Sequence, residues 1–282
     1  RDFSLSSNES EFDPSLDIFY RLTPSLSGSL TFNTDFSATE VDDRQVNLTR
    51  FGLFFPEKRD FFLSDADIFE FGGTGALGSF GQLSGTLEQN GRPFFSRRIG
   101  LSLSGQPVDL EYGGKLSGRA GPWTLGALTI KQDEFGNVEA TDLFTGRASL
   151  NVLQESSLGV IMTNGDPRSN LDNSVLGVDF NYLNTRMPNN RTIQGSAWYQ
   201  KSDTEGLVGD DASWGLRFIL PNPSTRGWKF NVAFKEIQEH FNPAQGFVNR
   251  AGIRDYAAEI GWLQRYPQGN PLRFIFSNFG LQ

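Results

Sequence analysis

The chain has 282 residues, no cysteine and a formal net charge of −8, from 25 basic and 33 acidic side chains. The lack of cysteine excludes a disulfide framework, a thiolate metal site and a cysteine nucleophile, and the acidic balance argues against a nucleic-acid-binding protein, which needs a basic face. No run of about 18 apolar residues occurs, so the sequence predicts no transmembrane helix, which leaves open a protein that crosses a membrane with strands.

Most apolar stretches alternate with polar residues at a period of two. In chain order, clear examples cover residues 26–36, 144–152, 176–182, 228–234 and 256–262. Successive side chains of a β-strand point to opposite faces, so each stretch predicts a strand with one apolar and one polar face. No stretch shows a convincing helical spacing of apolar residues. The sequence therefore predicts an all-β protein.

Segments rich in Gly, Pro and Asn separate the predicted strands and alternate in length. Short turns are predicted at 121–122, 154–156, 188–190 and 221–224. Long polar connections are predicted at 133–141, 164–173, 201–211 and 238–250. This spacing gives roughly a dozen strands, most of about 9–11 residues, which is long enough to cross a bilayer when tilted.

Two architectures fit this pattern. A soluble sandwich or barrel buries its apolar face, whereas a transmembrane barrel turns that face to lipid and its polar face to a lumen. The alternating connections, the charged polar face and the aromatic residues near strand ends favour an antiparallel up-and-down transmembrane β-barrel. Those aromatic residues are Trp123, Tyr182, Trp198, Trp214, Trp228, Tyr256 and Trp262. The charged residues predicted to face the lumen are Arg147, Asp179, Arg217, Lys229 and Lys235.

The segment 51–100 breaks the period-two pattern and mixes aromatic with charged residues. Unpaired charges are costly to bury, so such a mixture indicates an element folded toward the lumen whose ions pair with one another. The alternative is a solvated turn after a strand at 46–55. The charged residues of the predicted constriction are Glu57, Lys58, Arg59, Asp60, Asp65, Asp67, Arg97 and Arg98.

The same region resembles DUF5916, a bacterial family of uncharacterised barrel proteins. The specific block runs from Val-Asn-Leu-Thr-Arg-Phe at 46–51 into Phe-Phe-Pro-Glu-Lys-Arg at 54–59. Weaker matches occur at 20–24, 33–37, 61–63, 66–69, 95–100, 113–118 and 241–248. The resemblance spreads from about residue 14 to 266 and implies a bacterial outer-membrane β-barrel.

The resemblance also carries expectations about what surrounds this chain. Family members commonly have a preceding domain similar to family 9 carbohydrate-binding modules, and they tend to continue further. We therefore expect the chain to be a piece of a larger protein and its single domain, 1–282, to be an incomplete barrel. A glycan would be a partner of the domain that precedes the barrel in such members.

Catalytic motifs are weak. The G-x-G-x-x-G at 73–78 is not followed by a helix, as dinucleotide binding requires, and His240 has no second histidine for a metal site. On a strand, Asp65 and Asp67 would point to the same side, which fits an inverting carboxylate pair, a calcium site or ion pairing with nearby basic residues. Ion pairing or a weak calcium site is preferred over catalysis, so neither an enzyme nor a cofactor is predicted.

The leading functional hypothesis is porin- or transporter-like passage of a small solute across the bacterial outer membrane. The expected partners are outer-membrane lipid and other envelope proteins, and no nucleic acid. One alternative is a non-conducting envelope scaffold that anchors a surface or periplasmic module. Another is a soluble all-β carbohydrate-active protein.

Overall fold

The computed structural model describes residues 16–34, 57–73, 89–221, 223, 226–269 and 271–281. Within these ranges the regular secondary structure is almost entirely β, as the alternation predicts. The predicted strand at 46–55 and most of the 73–78 glycine motif lie outside the described residues. The strands are β1 (Leu16–Thr23), β2 (Leu26–Thr34), β3 (Leu110–Ala120), β4 (Trp123–Gln132), β5 (Thr141–Val152), β6 (Ser156–Asn164), β7 (Asn173–Met187), β8 (Arg191–Thr204), β9 (Ala212–Leu220), β10 (Arg226–Ile237), β11 (Ile253–Arg265) and β12 (Phe274–Leu281).

The helical elements whose bounds the structure describes are single turns. The α-helical turn α1 (Asp60–Leu63) and the 3₁₀ turns Ala66–Phe69 and Ser96–Arg98 all belong to the connection between β2 and β3. A third 3₁₀ turn, Pro188–Asn190, joins β7 to β8. Among the described helices, none has the length and apolar character needed to cross a membrane.

The twelve described strands form one sheet in which their spatial order follows their order in the chain. Every described pair is antiparallel, and β1 and β12 are the two edges of this sheet. The β3–β4 connection is a two-residue hairpin turn, because Ala120 pairs with Trp123. Gly121 has a φ of +59°, which a two-residue hairpin turn needs at its first central position. The predicted up-and-down order is confirmed, whereas closure into a barrel is not seen among these strands.

Because the strands run antiparallel, successive connections emerge at opposite ends of the sheet. The end that we call the loop end carries the connections 35–109, 133–140, 165–172, 205–211 and 238–252. The opposite end, the turn end, carries 24–25, 121–122, 153–155, 188–190, 221–225 and 266–273. The long connections predicted from the sequence therefore share one end of the sheet.

The two faces of the sheet differ in burial. The covered face packs against the segments 57–73 and 89–108 and includes the buried side chains of Thr145 and Arg147. The open face carries large apolar side chains such as Leu176 and Val178, which are 59% and 48% exposed. The predicted alternation holds in β5, β7, β10 and β11, with its polar side on the covered face in each.

Apolar packing lies between the covering segments and the sheet. A first cluster joins Phe62, Phe69 and Ile99 of the covering segments to Leu128 and Ile130 of β4, and Leu110 and Leu143 complete it. A second cluster joins Phe71 to Ile161 of β6 and Trp198 of β8. Trp198 was predicted to lie with other aromatic residues near the strand ends. It is instead buried against Phe71, with the ring centroids 6.1 Å apart.

Candidate functional site

Glu57 and Arg59 form the ionic centre of the first covering segment. Arg59 donates from Nε to Glu57 Oε1 and from Nη2 to Glu57 Oε2, both at 2.8 Å. The same guanidinium donates to the backbone oxygens of Ile99 and Ser96, at 2.7 and 2.8 Å. The buried guanidinium of Arg59 thereby ties the segment at 57–63 to the one at 96–99.

Glu57 also accepts a hydrogen bond of 2.6 Å from the Ser96 hydroxyl. Burial alone would raise the pKa of Glu57, but the hydrogen bonds and charge of Arg59, together with the Ser96 hydroxyl, outweigh burial and lower that pKa. Glu57 is therefore held as a carboxylate, and the predicted internal ion pairing exists for this pair.

The three aspartates of the predicted constriction do not join that pair. Asp60, Asp65 and Asp67 are exposed. Asp65 and Asp67 do not share a strand, because Asp65 caps the 3₁₀ turn Ala66–Phe69 with a φ of +59°. The strand geometry assumed for a carboxylate pair is therefore wrong. No group of three or more His, Cys, Asp or Glu in the described ranges is arranged to hold a metal ion.

Lys115 on β3 holds this turn against the sheet. Its ammonium donates to the backbone oxygens of Phe61 and Ser64, and the next covered-face residue, Ser117, donates to Asp65 at 2.6 Å. Sequence reasoning did not select Lys115, although its position in a period-two strand marked it as a polar-face residue. Lys115 of the sheet therefore brings a positive charge to this acidic turn.

A second ionic centre joins the sheet to the end of the first covering segment. Arg147 of β5 binds Asp179 of β7 through two hydrogen bonds, Nη1 to Oδ1 at 2.5 Å and Nη2 to Oδ2 at 3.0 Å. The two side chains are 4% and 0% exposed. Asp179 Oδ2 also accepts from the Gly72 backbone N–H at 3.0 Å and from Asn181 at 2.8 Å. Two residues predicted to face the lumen therefore anchor the covering segment.

Phe71 and Gly72 fit closely into this centre. The Arg147 guanidinium lies 5.5 Å from the centroid of the Phe71 ring. Gly72 has a φ of +63°, and a Cβ added there would lie 2.5 Å from Trp198. On the sheet, a Cβ added at Gly159 of β6 would lie 2.5 Å from the Arg147 side chain. Glycine is therefore required on both sides of the contact.

The remaining charges of the predicted lumen lie further along the covered face. Lys229 forms an ion pair with Glu259 of the neighbouring strand. Lys235 donates to the backbone oxygen of Asn90 at 3.0 Å, which ties β10 to the second covering segment. Arg217 is partly buried on the same face of β9. Of the five predicted charges, Arg147 and Asp179 form an ion pair with each other.

The connection between β10 and β11 folds over the second covering segment. Gln245, which is fully buried, accepts from the Thr145 hydroxyl at 2.8 Å and donates to the Asn164 backbone oxygen. Asn90, also fully buried, accepts from the Asn249 backbone N–H at 2.9 Å. Neither amide was selected from the sequence, because a single glutamine or asparagine in a loop carries no pattern.

Arg97 and Arg98 lie in the 3₁₀ turn Ser96–Arg98, and both are partly buried. Arg98 donates from Nε to the backbone oxygen of Gly246 at 2.8 Å, so it contacts the β10–β11 connection. A cavity of about 250 Å³ lies beside this region and is lined by Glu57, Arg92 and Lys115 among others. The covering segments therefore leave a cavity next to Glu57 that is lined by both charged and aromatic side chains.

Residues 3–74 match the family model described as a domain of unknown function, DUF5916. The resemblance proposed from the sequence is confirmed over these residues, and its extension toward residue 266 stays a prediction. The matched range includes the first covering segment with Glu57, Arg59, Phe71 and Gly72. Comparisons with curated proteins and with solved structures gave no match.

Proposed function

From the DUF5916 match over residues 3–74 and the two unlike faces of the sheet, we propose that this protein is an integral β-barrel of the bacterial outer membrane. It passes a small solute through a lumen that the covering segments narrow. The observation that carries the proposal is the inverted polarity of the sheet. The buried ion pair Arg147–Asp179 lies on the covered face, and large apolar side chains lie exposed on the open one.

A soluble β-protein minimises exposed contiguous apolar surface, whereas a membrane barrel places such a surface against lipid. Exposed apolar residues occur on the open face of most strands of the sheet. They include Leu30, Phe32, Leu158, Val160, Met162, Leu176, Val178, Leu216, Phe218, Val232, Tyr256 and Ile260. This band favours lipid contact over the soluble carbohydrate-active alternative.

The different lengths of the connections at the two ends of the sheet indicate how the proposed barrel is oriented in the membrane. Outer-membrane barrels have short turns on the periplasmic side and longer loops outside the cell. The turn end then faces the periplasm, and the loop end, with the connections at 165–172 and 238–252, faces the exterior. The covering segments enter from the exterior side, because they belong to the β2–β3 connection.

Closure of the barrel involves the edge strands. Every residue of β1 and of β12 is exposed, and an unpaired strand edge tends to pair with another chain. We place the closing contacts at these two edges, either between β1 and β12 or through further strands.

The first experiment is liposome swelling with the full chain and sugars of graded size. Uptake of small sugars with a size limit supports passage. A monodisperse monomer without detergent would overturn the membrane proposal.

The second experiment replaces Glu57 by alanine and records single-channel conductance in planar bilayers. The substitution frees Arg59 and Ser96 from their shared carboxylate, so we expect a higher conductance. Glu155→Ala at the turn end is the matched control, because the partners of Glu155 among the described residues are Thr185 and Arg186 at that end. Unchanged conductance in a folded Glu57→Ala protein would remove the constriction from the proposal.

A non-conducting scaffold is the second candidate, and one observation favours it. The Arg147 and Asp179 side chains are 4% and 0% exposed beneath Phe71, so this part of the covered face is tightly filled. A fully plugged barrel would anchor other envelope components without passing solute. Absence of swelling with sugars of every size, in a protein that inserts into liposomes, would favour the scaffold.

A further inference from the structure

A groove runs along the open face of β8, between β7 and β9. The register places Ala197 of β8 opposite Phe180 of β7 on one side and Leu216 of β9 on the other, and opposite residues of neighbouring strands share a face. The small Ala197 side chain therefore forms the base of a depression of about 440 Å³ between larger side chains. Its lining also includes Leu158, Val178 and Trp214. This part of the open face is a narrow apolar groove.

The groove continues toward the loop end and becomes polar there. A second depression, of about 480 Å³, shares Val178 and Tyr199 with the first. Its lining includes Lys201, Asp203 and Asp211. Lys201 and Asp203 are exposed and follow Tyr199 on the same face of β8. From its middle toward the loop end, this face of β8 therefore presents a small apolar, an aromatic, a cationic and an anionic side chain in that order.

The charges at the polar end of the groove are open to a ligand. Lys201 lies 3.6 Å from Asp211, and the Lys201 side chain is 57% exposed, so part of its ammonium group faces outward. Among the described residues, no hydrogen bond or ion pair engages the side chain of Asp203. Two residues apart on one strand, Lys201 and Asp203 lie about 6.5–7 Å from each other. The groove thus offers a cation beside its apolar part and an anion beyond that cation.

This order of groups matches the order of groups in phosphatidylethanolamine. An acyl chain on Ala197 places the phosphate near Lys201 and the primary ammonium, which follows the phosphate by one ethylene unit, near Asp203. Both contacts are charge-assisted hydrogen bonds. Tyr199 then lies between the acyl chain and the headgroup, where amphipathic aromatic rings are enriched in membrane proteins.

The local charge also selects among headgroups. Two carboxylates, Asp203 and Asp211, stand against the single ammonium of Lys201. A purely anionic headgroup, such as that of phosphatidylglycerol or lipid A, would therefore meet net repulsion. A zwitterionic headgroup with its own ammonium balances the second carboxylate.

We propose that the groove on the open face of β8 binds phosphatidylethanolamine, with the acyl chain on Ala197 and the headgroup on Lys201 and Asp203. The inference rests on the proposed membrane location, because the groove must face lipid. It does not depend on solute passage, since the groove lies on the face opposite the covering segments.

The headgroup is tested by native mass spectrometry of the full chain in a neutral detergent, with an equimolar mixture of phosphatidylethanolamine, phosphatidylcholine and phosphatidylglycerol. We expect phosphatidylethanolamine to be the preferred adduct, because a quaternary ammonium cannot donate a hydrogen bond to Asp203 and phosphatidylglycerol has no cation. Asp203→Asn should weaken phosphatidylethanolamine binding about threefold, the effect of losing one exposed charge pair. Asp109→Asn, an exposed aspartate at the loop end outside the groove, is the matched control and should keep the preference.

The apolar part is tested by filling the groove. Ala197→Trp should weaken binding of all three lipids about 10-fold or more, because an indole occupies the place of the acyl chain. Ala258→Trp is the matched control, since Ala258 is an exposed alanine of β11, outside the groove. Equal lipid binding by folded Ala197→Trp and Ala258→Trp would overturn the site.

Two further outcomes bear on the assignment. Equal binding of phosphatidylethanolamine and phosphatidylcholine to the unmodified chain, or tighter binding of phosphatidylglycerol or lipid A, would overturn the choice of headgroup. Insertion into liposomes, measured on the same preparations, separates this inference from the proposed function. A chain that inserts but shows no lipid preference refutes the groove alone, whereas a chain that stays monodisperse without detergent and does not insert refutes both.

Discussion

Replacing Asp179 by alanine tests whether charge holds the first covering segment to the sheet. The substitution leaves the Arg147 guanidinium, whose side chain is 4% exposed, without its carboxylate. It also removes the acceptor of the Gly72 N–H. Breaking a buried pair by removing one partner costs about 3–5 kcal/mol, a large part of the 5–15 kcal/mol that stabilises a typical domain.

The measurement is urea unfolding of the protein in detergent micelles, followed by tryptophan fluorescence. Trp198 reports directly, because its ring packs on Phe71 beside the ion pair. Asp142→Ala is the matched control, since Asp142 pairs with Lys131 at 3.4 Å but its side chain is 67% exposed. An exposed pair contributes about 0–1 kcal/mol, so the control should unfold almost like the unmodified chain.

A double variant separates the charge from the shape of the site. Arg147→Met combined with Asp179→Leu replaces both ions by apolar groups and leaves no buried charge behind. We expect it to be more stable than Asp179→Ala, because the penalty for an unpaired charge is gone. Equal unfolding midpoints for Asp179→Ala and Asp142→Ala would refute the role given to this ion pair.

Three other substitutions test separate parts of the structure. Gly72→Ala should destabilise by more than about 1 kcal/mol in the same urea assay, because it combines a φ of +63° with a contact of 2.5 Å to Trp198. Glu57→Gln should reduce the loss of stability in acid. The folded-state pKa of Glu57 lies below its ordinary value of 4.5, so its contribution is present above that pH and is lost as pH falls through the folded-state pKa. Val178→Arg should impair insertion into liposomes, at a cost of about 2–4 kcal/mol, if the open face contacts lipid.

Each of these has a matched comparison. Gly136→Ala shares the φ of +63° but has no atom within 4 Å of the added Cβ, so a cost as large as that of Gly72→Ala would refute the steric argument. An acid transition of Glu57→Gln that coincides with that of the unmodified chain would contradict the role of the carboxylate. Glu205→Arg, an exposed change in the β8–β9 connection, should insert normally. Equal insertion of Val178→Arg would argue against lipid contact.

The strands and their faces could be predicted because alternation is a local property. The polar side of 144–152 and of 228–234 was assigned correctly from neighbouring residues alone. The partners across strands were not predictable in this way, since they depend on register. Arg147 reaches Asp179 across β6, where Gly159 pairs with Asp179 and leaves room for both side chains.

For Trp198, the alternation of apolar and polar residues does not tell which face of the strand the side chain occupies. It is followed by Tyr199, so the two neighbouring aromatic residues fit either face equally well from hydropathy alone. The contact with Phe71, from a segment more than a hundred positions earlier, decides that Trp198 is covered. The 3₁₀ turn at Ala66–Phe69 was missed for a related reason, because a single turn has too few residues to show a period.

The hydrogen bond between Gly72 and Asp179 joins residues that lie far apart in the sequence, and this separation has a consequence for folding kinetics. It closes a separation of 107 residues, whereas the strands from β3 to β12 pair with their immediate neighbours through connections of a few to about fifteen residues. Ordering a long chain segment is entropically more costly than closing a hairpin, and non-local contacts slow folding. We therefore expect the β3–β12 meander to form before the covering segment docks onto it, so that docking is the step that fills the covered face.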